Sequence, residues 1–159
     1  MVCEHILGNT KDFELTGKKI ELVEINWDET FKKIHRKVTD SGREVGIRLD
    51  DSVLTKGMNE GDVLYADDDL IIVVYLAPCE VIQVQVAEDH KFMAAKVCYE
   101  IGNRHAPLFY GEDELSFITL YNDPMLEMLQ SMHGVSVEKK VSKLDLDRRI
   151  SAVVHKHQH

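Results

Sequence analysis

The sequence predicts an α+β protein made of two unlike halves and a short tail. Three observations carry the prediction. Up to "YLAPCE", apolar runs of strand length are separated by turn residues; after Pro78, strands alternate with helical spacing; and the chain closes on "HKHQH". The expected division is 1–76 for an all-β domain, 77–144 for a mixed domain, and 145–159 for a flexible His-containing tail.

In the first half, "GKKIELVEI", "KIHRKV", "REVGIRL" and "LIIVVYL" read as short strands, and "TDSGRE" marks a hairpin around Ser41 and Gly42. Gly57, Gly61 and the Asp67 to Asp69 cluster are turn formers between apolar runs. That acidic cluster reads as a solvated turn rather than a cation site, because no second set of oxygens stands at calcium-loop spacing.

In the second half, "CEVIQVQV" alternates Val81, Gln83 and Gln85 with Ile82, Val84 and Val86, as a strand with one or both faces covered does. A helix is expected next. Glu88 and Asp89 suit its positive N-terminal end, Phe92, Ala95, Val97 and Ile101 supply spaced apolar positions, and Gly102 is the expected stop. His105 falls just beyond it. Strands follow at Leu108 to Tyr110 and "LSFITL", then a helix in "DPMLEMLQSMHG" from its early proline to Gly134, then a strand in "VSVEKKVSKL". The resulting β-α-β-β-α-β order is ferredoxin-like. Met125, Met128 and Met132, with Leu126 and Leu129, form a helical stripe read as core or subunit interface rather than as a soft-metal site.

Charge and cysteine usage narrow the setting. With 28 acidic against 19 basic residues and no dense Lys/Arg cluster, nucleic acid is not an expected partner. No apolar run reaches the roughly 18 residues of a membrane span, and "MVCEHILGNT" lacks a basic segment followed by an apolar one, so no membrane association or secretion is expected. Cys3, Cys79 and Cys98 are odd in number and without CxxC spacing, which points to reduced thiols in the cytoplasm.

The tail is the first metal-binding candidate. His155, His157 and His159 alternate with Lys156 and Gln158, unlike the unbroken run of a purification tag, although an oddly spelled scar is the competing reading. Imidazoles at i, i+2 and i+4 lie on one side of an extended strand about 7 Å apart, and a flexible terminus can fold two of them onto one ion. His133 reads as a helix-end residue, and His5, His35 and His90 receive no role.

"GNRHAPLF", Gly102 to Phe109, closely resembles the signature of the UreE urease accessory proteins, which are nickel metallochaperones. "GREVGIRLDDSVLTKGMNEGDVLYADDDLIIVV" resembles that family's N-terminal β domain, "PCEVIQV" its junction into the metal-binding domain, and a His-containing tail is a common family feature. The resemblance covers nearly the whole chain in order. It implies a peptide-binding-like N-terminal domain, a ferredoxin-like metal-binding domain, and a homodimer in which His105 meets its symmetry mate at a surface metal site. It also implies Ni(II) as cargo, with the urease apoprotein and the accessory GTPase UreG as partners. Some relatives carry further histidines where this chain has "LSFITLYNDPML", so no second internal metal site is expected, and their long His-rich tails are reduced here to "HKHQH", so delivery of few ions is expected rather than storage of many.

Physical chemistry is compatible with a shared site, although a single histidine after a helix is more often a structural hydrogen-bonding residue than a ligand. One imidazole does not hold a metal tightly, whereas a residue near a two-fold axis faces its twin, and tails from both chains can complete the coordination. Imidazole also suits Zn(II) and Cu(II), so nickel rests on the resemblance. Cys98 stands about 10 Å from His105 along a helix, too far to share an ion within one chain. The alternative is a cytosolic divalent-metal buffer without a delivery partner. A metallohydrolase is disfavoured and no enzyme is expected, since no HExxH, nucleophile elbow or glycine-rich phosphate loop occurs.

Overall fold

The computed structural model describes residues 1–150 and divides between Ala77 and Pro78 into two units. In the first unit the strands are β1 (Val2–Cys3), β2 (Gly8–Asn9), β3 (Lys19–Ile25), β4 (Ile34–Val38), β5 (Glu44–Arg48), β6 (Asp62–Ala66) and β7 (Leu70–Leu76), with one short helix, α1 (Val53–Lys56). They form two sheets, ordered β1-β5-β4 and β2-β6-β7-β3. The hairpin expected at Ser41 and Gly42 joins β4 to β5, closed by a hydrogen bond from the Thr39 amide to the Arg43 carbonyl. β7 is central in its sheet, parallel to β3 and antiparallel to β6, and its near-continuous apolar run serves both faces. Ile72 and Val74 join Val23, Ile25, Val45, Ile47 and Met58 in the main core, while Ile71 and Val73 pack with Val63, Phe13 and Leu15 on the other side.

A buried carboxylate ties this unit together. Glu21 of β3 is 1% exposed and accepts two hydrogen bonds from Arg43, at 2.9 and 3.1 Å, and one from Thr39 at 2.9 Å. Lys19 approaches to 3.3 Å. The Arg43 guanidinium, in bidentate contact, holds the Glu21 carboxyl down to about 2.

The second unit runs β8 (Cys79–Val86), α2 (Met93–Asn103), β9 (Leu108–Tyr110), β10 (Ser116–Leu120), α3 (Asp123–Gln130) and β11 (Val135–Ser142). Its sheet is ordered β11-β8-β10-β9, with every neighbouring pair antiparallel. Ile82, Val84 and Val86 of β8 and Phe117 of β10 pack against Met93, Val97 and Ile101 of α2 and Met125 and Leu129 of α3. The methionine stripe is therefore core: Met125, Leu129 and Met132 are buried, and Leu126 and Met128 pack beside them. Asn122 caps α3 by accepting from the Met125 amide at 2.8 Å, with Pro124 in the first turn.

Three expectations for α2 need correction. Glu88 to His90 form a separate 3₁₀ turn, so the helix starts at Met93 rather than at the acidic pair. The buried positions are Met93, Val97 and Ile101, spaced by four, whereas Phe92 and Ala95 are exposed. Gly102 does not stop the helix either: it lies inside α2, and the chain turns out of the helix at Arg104 and His105.

The expected tail begins at 145, but its first residues run along the sheet. Leu146 is buried, residues Leu146–Arg148 form a 3₁₀ turn, Arg148 donates to the Gly111 carbonyl, and the Ile150 amide donates to the Leu108 carbonyl at 2.8 Å. Among the described residues no helix is long and apolar enough to cross a membrane.

Candidate metal centre

His105 sits where α2 ends. Its amide donates to the Gly102 carbonyl at 2.9 Å and the next amide, of Ala106, donates to the Ile101 carbonyl at 3.3 Å. These two bonds are the paired 5→2 and 6→1 contacts of a Schellman cap, with His105 at the left-handed position. Ala106 completes the motif by packing into the core cluster that contains Ile101. Glycine usually occupies that position, yet His105 has φ of 58° and is the one non-glycine residue with positive φ among the described residues. A side chain there costs about 1–2 kcal/mol, histidine being among the more tolerant types. The cap does not require an imidazole, and the exposed side chain does not pack the core.

Around it, Arg104 folds back along α2 and donates to Glu100 at 2.7 Å, an i, i+4 pair. The outward face of α2 is apolar: Phe92 is 73% and Tyr99 67% exposed, with exposed Ala95 between them and Gly102 completing the stripe towards His105. A Cβ at Gly102 would meet no atom of the described residues within 4 Å, so packing among them does not account for the glycine. A mid-helix glycine costs roughly 0.5–1 kcal/mol relative to alanine.

No group of three or more His, Cys, Asp or Glu side chains able to hold a metal occurs among the described residues. His105 is thus the one predicted ligand placed by the structure, and His155, His157 and His159 lie outside the described residues. The thiols offer little competition. Cys3, Cys79 and Cys98 are free, and burial pushes all three above the ordinary cysteine value, which keeps them protonated at neutral pH.

Sequence reasoning missed a second histidine pair. His90 and His133, at the opposite end of α2, have ring centroids 4.7 Å apart. Their neighbourhood follows from the register of β8 and β11, which pairs Val86 with Val135 and is not written in either local stretch.

Known proteins resemble the chain over its whole length. A sequence profile of the UreE urease accessory protein N-terminal domain matches residues 3–77, and one of the C-terminal domain matches residues 79–159. The urease accessory protein UreE of Helicobacter acinonychis (strain Sheeba) is 39% identical over 154 residues, covering 95% of this chain and 86% of the relative. That of Helicobacter pylori (strain G27) shows the same identity and coverage, 39% over 154 residues, 95% and 86%. That of Acetivibrio thermocellus is 37% identical over 161 residues, spanning 100% of both chains. With both halves matched in order and the "GNRH" histidine at the surface, the chain belongs to the UreE urease accessory protein family.

Proposed function

We propose that the chain is a non-enzymatic, cytoplasmic nickel metallochaperone. It binds Ni(II) at a homodimer interface between two copies of His105, with His155, His157 and His159 as additional ligands. The observation that carries this reading is His105 itself: an exposed imidazole kept at a strained helix cap, at the end of an apolar helix face left uncovered by the described residues. A two-fold axis running roughly along this face of α2 would bury Phe92, Ala95 and Tyr99 against their twins, give Gly102 its reason for lacking a side chain, and bring the two imidazoles together. Two neutral imidazoles suit borderline divalent ions; Zn(II) and Cu(II) bind the same donors, and Cu(II) binds at least as tightly. Ligands drawn from two chains and from tails, without thiolate, make a site that releases its cargo.

The second unit's antiparallel β11-β8-β10-β9 order supports a ferredoxin-like metal-binding domain, and the first unit a peptide-binding-like domain for docking. The urease apoprotein is the expected recipient and UreG the accompanying GTPase, both from family membership. Transfer tests the reading. Ni(II)-loaded protein mixed with urease apoprotein and the accessory GTPase should activate it faster than the same free Ni(II) held by a small chelator; equal rates would favour a passive metal buffer.

A further inference from the structure

We infer that His90 and His133 form a second, weak and exchangeable site for a divalent transition metal of the Ni(II), Cu(II) or Zn(II) class, at the end of α2 remote from His105. Pairing of β8 with β11 sets the Glu88–His90 turn beside the end of α3, where the Ala87 amide donates to the Gly134 carbonyl at 2.9 Å. Gly134 has φ of +78°, and a Cβ there would sit 2.4 Å from Cγ of His90. Only glycine leaves room for the His90 side chain this close to the backbone, and the preceding residue then brings the second imidazole beside it.

The spacing of the rings suits one ion. Metal–imidazole bonds of about 2.0–2.1 Å, plus about 1.1 Å from nitrogen to ring centre, put each centroid about 3.2 Å from a shared metal. At coordination angles of about 90–110° the centroids then stand about 4.5–5.2 Å apart. The observed separation is 4.7 Å, with the ring planes 74° apart. His133 is exposed and no hydrogen bond holds its ring among the described residues, so it can turn to present a nitrogen.

His90 is better fixed. Its Nδ1 donates to Oδ1 of Asp89 at 2.9 Å. A carboxylate only accepts, so the proton lies on Nδ1 and Nε2 keeps the lone pair, the carboxylate–histidine arrangement found behind metal-bound imidazoles. Phe92 walls the other side, with its ring centroid 5.9 Å from that of His90. Glu88 and Asp89 bring negative charge, partly offset by Lys91, 3.5 Å from Glu88. The positive N-terminal end of α2 and the negative C-terminal end of α3 oppose each other. Two protein ligands leave the remaining positions to water, which makes the site weak and fast to exchange. The 11 residues of α2 span about 16 Å, so His90 and His105 of one chain do not share an ion.

Zn(II) titration of the full chain, followed by ¹H–¹⁵N correlation of the histidine ring nitrogens, tests this assignment. The His90 and His133 signals should shift together, in one saturable step after the tight site is filled. His133→Ala should weaken the His90 response at least tenfold while the metal-free protein melts as wild type does. Ring signals of His90 and His133 that stay fixed up to millimolar Zn(II), or a His90 shift that His133→Ala leaves unaltered, would overturn the proposal. Because these signals are separate from that of His105, the outcome does not depend on how His105 behaves.

Discussion

Replacing His105 by glycine should stabilise the metal-free protein and remove the proposed tight metal site at once. The wild-type residue holds φ of 58° in a Schellman cap, a conformation that costs an L side chain about 1–2 kcal/mol. Glycine releases this strain and returns about 0.5–1 kcal/mol through its greater freedom in the unfolded chain. The net is a gain of about 0.5–1 kcal/mol. For a domain of this size that corresponds to roughly 2–8 °C in the melting temperature of the second unit. Alanine is the control: it loses the imidazole but keeps the strain, so His105→Ala should melt within about 0.5 kcal/mol of wild type. Both variants should lose at least 100-fold in Ni(II) affinity. Calorimetric melting without metal and Ni(II) titration of the three proteins make the comparison. A glycine variant that melts below wild type would show that the imidazole supports the fold, and the reasoning that keeps a strained residue here for its ligand chemistry would fail.

Other consequences are as concrete. Phe92→Asp with Tyr99→Asp should convert the proposed dimer to monomer and weaken Ni(II) binding without unfolding the second unit, as judged by sedimentation and circular dichroism, because both rings are exposed in the single chain. Deleting His155 to His159 should lower metal stoichiometry and leave the melting temperature unchanged, since a terminal polar segment supports no core; identical binding would remove the tail from the ligand set. Acid should loosen the first unit. The Glu21 carboxyl is held at about 2 by Arg43 when folded against an ordinary 4.5, so its stabilisation is complete above about 4.5 and is lost as pH falls towards 2. Melts of wild type and Glu21→Gln across that window should converge at the acid end; curves that stay parallel would rule out this ion pair as the cause.

What the sequence reveals depends on whether a feature is local. The strands of the first unit are visible because each is an apolar run between turn residues, but the parallel pairing of β3 with β7 joins segments far apart in the chain and leaves no local mark. In α2 the periodicity misleads for a physical reason. Apolar residues stand on two opposite faces, Met93, Val97 and Ile101 inside and Phe92, Ala95 and Tyr99 outside, so spacing alone does not say which face is core. The outer stripe that shifted the predicted helix is the one proposed to meet a second copy. Gly102 was expected as the stop because glycine favours left-handed caps, whereas the structure gives that conformation to His105. His105 was legible through its motif. His90 and His133 were not, since judged singly His133 is an ordinary helix-end residue and His90 carries no signal of its own, and only strand register makes them neighbours.

The most direct test of the central claim is Ni(II) titration by calorimetry joined to sedimentation equilibrium on the same metal-free and metal-loaded samples. A shared His105 site predicts a dimer whose tightest step saturates at one Ni(II) per two chains, with any weaker ions above that number, and the tight step absent from His105→Ala. A monomer carrying one tight Ni(II) per chain, or a tight step that survives His105→Ala, would contradict the account.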